Sequence, residues 1–314
     1  MSRVAIIGSG FIGRAWAITF ARAGHDVVLW DAAPDAPAIA RDYIAGLLPD
    51  LEANGLLNDG PDKVLGRIST SSNVDEALEG VVHVQENAPE KLDLKRTVFS
   101  MLDEKAPRDA VLASSTSALL PSAFTAHLAG RERCLVAHPI NPPYLVPAAE
   151  LVPAPWTSSE VMERAVAFFR ASGQAPLVMK REIDGFIMNR LQGALLEEAF
   201  RLVDEGYASV DDIDIGIRDG LALRWSFIGP FETIDLNAPG GVRDYVERYE
   251  SLYENLWPST QHRAHWGGAV LDRIERDRRS KLPAEKLVER QEWRDRRLMA
   301  LVAHKREAAK KIGS

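Results

Sequence analysis

Residues 3–31 restrict this chain more than any other stretch. A short apolar run, RVAII at 3–7, passes directly into Gly8-Ser9-Gly10-Phe11-Ile12-Gly13. The segment RAWAITFARAG then shows helical spacing and stops at Gly24, and DVVLWD reads as a second strand ending at Asp31. A run that is apolar at every position fits a strand buried on both faces, as in a parallel sheet. The first glycine permits a tight turn, and the second lets backbone N–H groups approach a pyrophosphate. The third lets the helix pack closely on the strand, while the helix N-terminus favours phosphate charge. Asp31, 18 residues beyond Gly13, is placed to accept hydrogen bonds from a ribose diol and to repel a 2′-phosphate, which favours NAD over NADP. Gly8, Gly10 and Gly13 are a weak signal alone; the ordered strand, helix, strand and acid around them make a dinucleotide site the stronger reading.

The alternation continues down the chain. VVHVQ (81–85), AVLAS (110–114), CLVAH (134–138), AELV (149–152) and PLVM (176–179) read as strands, with helical spacing in KLDLKRTVFSMLDEKA and over 159–171. This predicts an α/β fold with a Rossmann-type, doubly wound, mostly parallel sheet. Residues 37–64 read as one or two helices interrupted near Pro49 and Gly55. After about residue 180 only helical patterns remain: GFIMNRLQGALLEEAFRLVDEG, capped by Asp184 and ended by Gly206, then VDDIDIGIRDGL and RDYVERYESLYENL. The expected division is a dinucleotide-binding domain over 1–182 and an all-helical domain over 183–314.

Bulk properties remove several alternatives. A chain of 314 residues can bury two cores. A formal charge of −7 argues against nucleic acid held by bulk electrostatics. The 14 basic and 8 acidic residues from Asp272 to Lys311 read as a solvated helix face. No apolar run reaches the ~18 residues of a membrane helix, and MSRVAIIGSGFIG is too short and glycine-broken for a signal peptide. The single cysteine, Cys134, cannot form an internal disulfide and suits a reducing compartment. A cytoplasmic protein with a small-molecule substrate, and without a nucleic-acid or membrane partner, is the expectation.

Ser114–Glu150 holds the residue types that proton chemistry needs. Ser117, His138 and Glu150 each fall at the edge of an apolar run, so a hydroxyl, an imidazole and a carboxylate could converge at strand ends although Ser117 and Glu150 lie 33 positions apart. Oxidising a secondary alcohol requires a base for the hydroxyl proton while hydride leaves carbon, and imidazole titrates in the right range. His138 is the expected base, with Glu150 holding its other ring nitrogen. Each also has a structural reading: a satisfied turn histidine, a strand-end serine bonded to backbone, a surface ion pair. His262 and His265 lie three apart, but nothing near them completes a metal site, and hydride transfer to NAD needs no metal.

The order GSGFIG, QENAPEKLDLK, SSTSALLPS, HPINPPYLVPAAELV, DGFIMNRL and DGLALRWSFIGPFET resembles the 3-hydroxyacyl-CoA dehydrogenase superfamily over nearly the whole chain. The resemblance implies a catalytic set of Ser117, His138, Glu150 and Asn189, with Ser117 and Asn189 donating to the substrate oxygen. It implies cofactor contacts at Phe11, Ile12, Asp31, Glu90 and Lys95. It also implies a helical second domain that makes a homodimer.

The substrate is the harder question. Ala38–Val64, which matches the helical arm of acyl-CoA relatives, holds five acids and two bases, the wrong balance for a CoA phosphate. Leu223-Arg224-Trp225-Ser226-Phe227 stands where the CoA enzymes, by resemblance, have a shorter neutral turn, and gulonate-type relatives carry an arginine there. An arginine fork binds carboxylate bidentately, so Arg224, beside Trp225, is the expected anchor of a small free L-3-hydroxy acid such as L-gulonate or 3-hydroxybutyrate. A surface ion pair of Arg224 with Asp219 or Glu232 is the plainer reading. The alternatives are a 3-hydroxyacyl-CoA dehydrogenase, a carnitine-type or diketo-ester reductase, and a catalytically silent NAD-binding protein of the kind recruited as lens crystallins.

Overall fold

The structure is a computed structural model and describes residues 2–260, 264 and 266–313. Eight strands form one sheet: β1 (Arg3–Ile7), β2 (Asp26–Trp30), β3 (Ile68–Thr70), β4 (Val81–Glu86), β5 (Val111–Ser114), β6 (Cys134–Pro139), β7 (Ala148–Pro153) and β8 (Ala175–Val178). Their order is β3-β2-β1-β4-β5-β6-β7-β8. Every neighbouring pair is parallel except β6 with β7. The chain builds outward from β1 to β3, then returns to β4 on the other side of β1. That reversal opens a crevice at the C-terminal ends of β1 and β4, the usual ligand position in such sheets.

Alternate residues of β1 feed opposite faces, as strand geometry requires. Val4 and Ile6 join the cluster that includes Trp16 and Phe20 of α1 (Phe11–Arg22). Ala5 and Ile7 join the cluster that includes Phe99 and Leu102. β3 has no counterpart among the expected strands, because it is a three-residue edge strand with only Ile68 buried. In α2 (Ala36–Ala53), Pro49 lies inside the helix instead of breaking it; the chain stops just beyond, where Gly55 takes φ +67.

Two compact units result: Met1–Met188 with Trp293–Ala308, and Asn189–Glu292 with Ala309–Ser314. The first contains the whole sheet. It also takes the middle turns of the C-terminal helix Leu287–Ile312, since Met299 is 1% exposed in the sheet's core and Leu298, Val302 and Ala303 pack against it. The basic side chains of this helix form the solvated face their composition predicts, while four apolar side chains make the opposite stripe and dock it in the first unit.

Among its described residues the second unit has helices joined by turns and no strand. Its first helix runs from Met188 to Asp204, so Asp184 is not its cap. Gly185 at φ +77 and Phe186 at φ +49 form a left-handed turn that delays the helix by a full turn. The next helix, Val210–Ile215, begins at a Ser209–Asp212 capping box and runs into a π segment, Gly216–Leu221, before Ala222–Trp225. Among the described residues no helix is long and apolar enough to cross a membrane.

Candidate active site

The glycine turn has the geometry its sequence implies. Gly8 takes φ +90, and a Cβ there would lie 2.9 Å from the Asn87 carbonyl carbon. A Cβ on Gly13 would collide with the Gly8 carbonyl oxygen, so this helix can approach its strand only as glycine. Gly10 is the N-cap of α1 and supplies no side-chain cap, while Phe11 and Ile12 open the first turn. Uncapped N–H groups at the start of a twelve-residue helix suit a pyrophosphate. Asp31, just past β2, accepts from the Ser9 N–H at 2.7 Å and the Ala33 N–H at 2.9 Å, which ties the second strand's end to the glycine turn. These residues fit a bound NAD.

At the other side of the sheet, the antiparallel pairing of β6 and β7 sets His138 directly opposite Glu150. His138 Nδ1 and Glu150 Oε2 are 2.6 Å apart, and both residues are buried. The other carboxylate oxygen, Oε1, accepts the consecutive N–H groups of Ile187 at 2.7 Å and Met188 at 2.8 Å. Burial pushes the Glu150 carboxyl upward, but the His138 hydrogen bond and the Met188 and Ile187 amides outweigh it and hold the group below the usual carboxylate range. An ionised Glu150 accepts a hydrogen bond from Nδ1–H, which fixes the tautomer with the lone pair on Nε2. The left-handed turn at Gly185–Phe186 aims the two amides, and the Phe186 ring packs 5.6 Å from the imidazole.

Ser117 lies exposed just past β5. Its backbone N–H donates to Glu90 Oε1 at 3.1 Å, as does that of Ala118, and the Thr116 hydroxyl donates to the same oxygen. Glu90 is therefore committed to the serine-bearing loop. Lys95 is 1% exposed and donates to both oxygens of Glu86 at 3.0 Å, so its ammonium is satisfied inside the protein. Sequence reasoning missed Glu86, Thr116 and Phe186. A strand-end glutamate and a left-handed phenylalanine carry no one-dimensional signal; only the chain's packing reveals them.

The remaining candidates belong to the second unit. Asn189 stands in the first turn of its helix, one residue past Met188. Arg224 ends the short helix with Trp225 and lines a cavity of about 520 Å³ with Gly216, Gly220, Leu221, Leu223 and Phe227. Asp219, its supposed surface partner, is held instead by Arg218 at 2.6 Å. The π segment supplies two of the cavity's glycines, and such wide turns often accompany functional sites. His262 and His265 lie outside the described residues, and among those described no three His, Cys, Asp or Glu side chains could hold a metal.

Comparison with known proteins gives a consistent setting. The family model for the 3-hydroxyacyl-CoA dehydrogenase NAD binding domain matches residues 3–183, and that for the C-terminal domain matches 185–265. Lambda-crystallin of Oryctolagus cuniculus is 43% identical over 97% of this chain and 96% of its own. An L-carnitine dehydrogenase of Pseudomonas aeruginosa is 36% identical over 98% of this chain and 95% of its own. Among solved structures, 5-formyl-3-hydroxy-2-methylpyridine 4-carboxylic acid 5-dehydrogenase, an NAD+-dependent dismutase, superposes with a TM-score of 0.81 at 28% identity, covering 98% of each chain.

Proposed function

This chain belongs to the 3-hydroxyacyl-CoA dehydrogenase family, NAD-dependent oxidoreductases of CH–OH donors, and from that premise we propose that it oxidises the 3-hydroxyl of a small free L-3-hydroxy acid. The observation that carries the chemistry is the His138–Glu150 pair at 2.6 Å. Bound NAD, held by Gly8–Gly13 and Asp31, supplies the hydride acceptor. His138 Nε2 takes the hydroxyl proton, and Glu150 fixes the ring's tautomer and stabilises the imidazolium that forms. Ser117 and Asn189 donate hydrogen bonds to the substrate oxygen as its charge changes.

Arg224 binds the substrate carboxylate. Its cavity in the second unit supports that role, as does likeness to a dehydrogenase whose name carries a carboxylic acid. We also place the protein in the cytoplasm as a homodimer. The first is supported by the single Cys134, which can form no internal disulfide. The second is supported by the exposed Leu191, Leu223, Phe227 and Phe231 of the helical unit.

The test is NADH formation with L-gulonate, L-3-hydroxybutyrate, L-carnitine and 3-hydroxybutyryl-CoA. A free acid is expected to be preferred, and preference for the CoA ester overturns that assignment. His138→Ala should lower kcat by at least about 100-fold; turnover that survives it removes the mechanism. Arg224→Met should raise KM for the acid about 10- to 100-fold with kcat nearly kept, since it deletes binding common to ground and transition states. An unchanged KM removes Arg224 from the site.

A further inference from the structure

Around Glu86, two acids and one base are brought together that the dyad chemistry does not use. Glu86 ends β4 and is 0% exposed. Its Oε1 accepts from the Ala88 N–H at 2.6 Å and its Oε2 from the Ser114 hydroxyl at 2.5 Å. Lys95 bridges both oxygens, donates again to the Ala88 carbonyl at 3.1 Å, and stands 3.8 Å from Glu90 Oε2. Glu90 in turn holds the Thr116 hydroxyl and the amides of Ser117 and Ala118. Apart from the contacts among the three charges, these bonds end on residues 88 or 114–118. Those segments are the loop after β4 and the end of its parallel neighbour β5 with the loop that follows.

The arrangement ties two loops at the crevice into one rigid piece. Ser117 has no strand ladder of its own, because β5 ends at Ser114. A reacting group displaced by ~1 Å can lose about 100-fold in rate. Burying the Glu86–Lys95 pair costs desolvation, repaid here because the ammonium and both Glu86 oxygens are hydrogen-bonded, while Glu90 stays exposed at the network's outer end. A fully bonded buried network also admits few alternative geometries. We propose that Glu86, acting through Lys95, Ser114 and Glu90, is a positioning residue that sets where the Ser117 hydroxyl stands. This rests on the reading above that Ser117 meets the substrate oxygen.

The test is a double-mutant cycle in the full chain, using whichever compound of the panel is turned over fastest. Glu86→Gln leaves Lys95 short of an ionised partner and should lower kcat about 10- to 100-fold, with KM for the substrate changed less than about threefold. In a Ser117→Ala background the same change should cost less than about threefold more, because both act through one hydroxyl. Should Glu86→Gln fail to fold, Thr116→Val serves in its place. It removes one bond to Glu90 and keeps the ion pair, with about a 10-fold loss expected, abolished in the Ser117→Ala background and restored by Thr116→Ser. Additive losses in the cycle overturn the proposal alone. A Ser117→Ala enzyme as active as wild type overturns the reading of Ser117, and the proposal with it.

Discussion

Phe186 is fully buried at φ +49, a conformation that costs a bulky residue about 1–3 kcal/mol. What offsets it is the placement of the next two amides on Glu150, and the apolar cluster that receives the ring. Glu150 is thus held from two sides, by an imidazole and by a backbone turn. Its carboxyl is depressed, so its contribution to stability is present above the ordinary value of 4.5 and fades as pH falls through the lower, folded-state value. Glu150→Gln keeps the shape and deletes the charge. The expected result is a kcat about 10²- to 10⁴-fold lower, read by NADH formation, with the amide hydrogen bonds from Ile187 and Met188 still able to form.

β4 shows how one element serves two purposes. Its C-terminal Glu86 reaches the crevice, while His83 is sealed in the core, stacked on Phe168 at 4.4 Å and bonded to Gln85 at 3.0 Å. Burial first, then the nearby His25, push the His83 imidazole down to about 4, despite the Gln85 bond. A histidine depressed below its ordinary 6.5 is neutral in the folded state and protonated in the unfolded chain between those values, so stability falls as pH drops from 6.5 toward 4. His83→Phe keeps the stack and is expected to flatten that limb by up to about 1.4 kcal/mol per pH unit, measured by urea unfolding at pH 4.5 to 7. The same strand explains what was legible in the sequence. VVHVQ reads as a strand from its apolar run, and the glycine turn reads from its spacing. The pairing of His138 with Glu150 depends on an antiparallel register that no local pattern encodes. The burial of Lys95 depends on Glu86, nine positions away across a turn. Asp184 misled because polar-before-apolar is the signature of a cap, whereas Gly185 and Phe186 turn left-handed instead.

At the scale of the whole chain, the second unit buries few side chains while Leu191, Leu223, Phe227 and Phe231 stay exposed. That surface supports the proposed homodimer, for which light scattering after size exclusion is expected to give about twice 34.7 kDa. A mass of one chain would remove the dimer from the reading. The family pattern spans 3–183 and 185–265, so the C-terminal helix falls beyond both matched segments. Yet Met299 of that helix sits in the core beside the sheet. During synthesis the sheet's strands all leave the ribosome long before this residue does. The unit translated first therefore closes only once residues 293–308 emerge, and until then a nascent chain carries an open apolar seam beside its sheet.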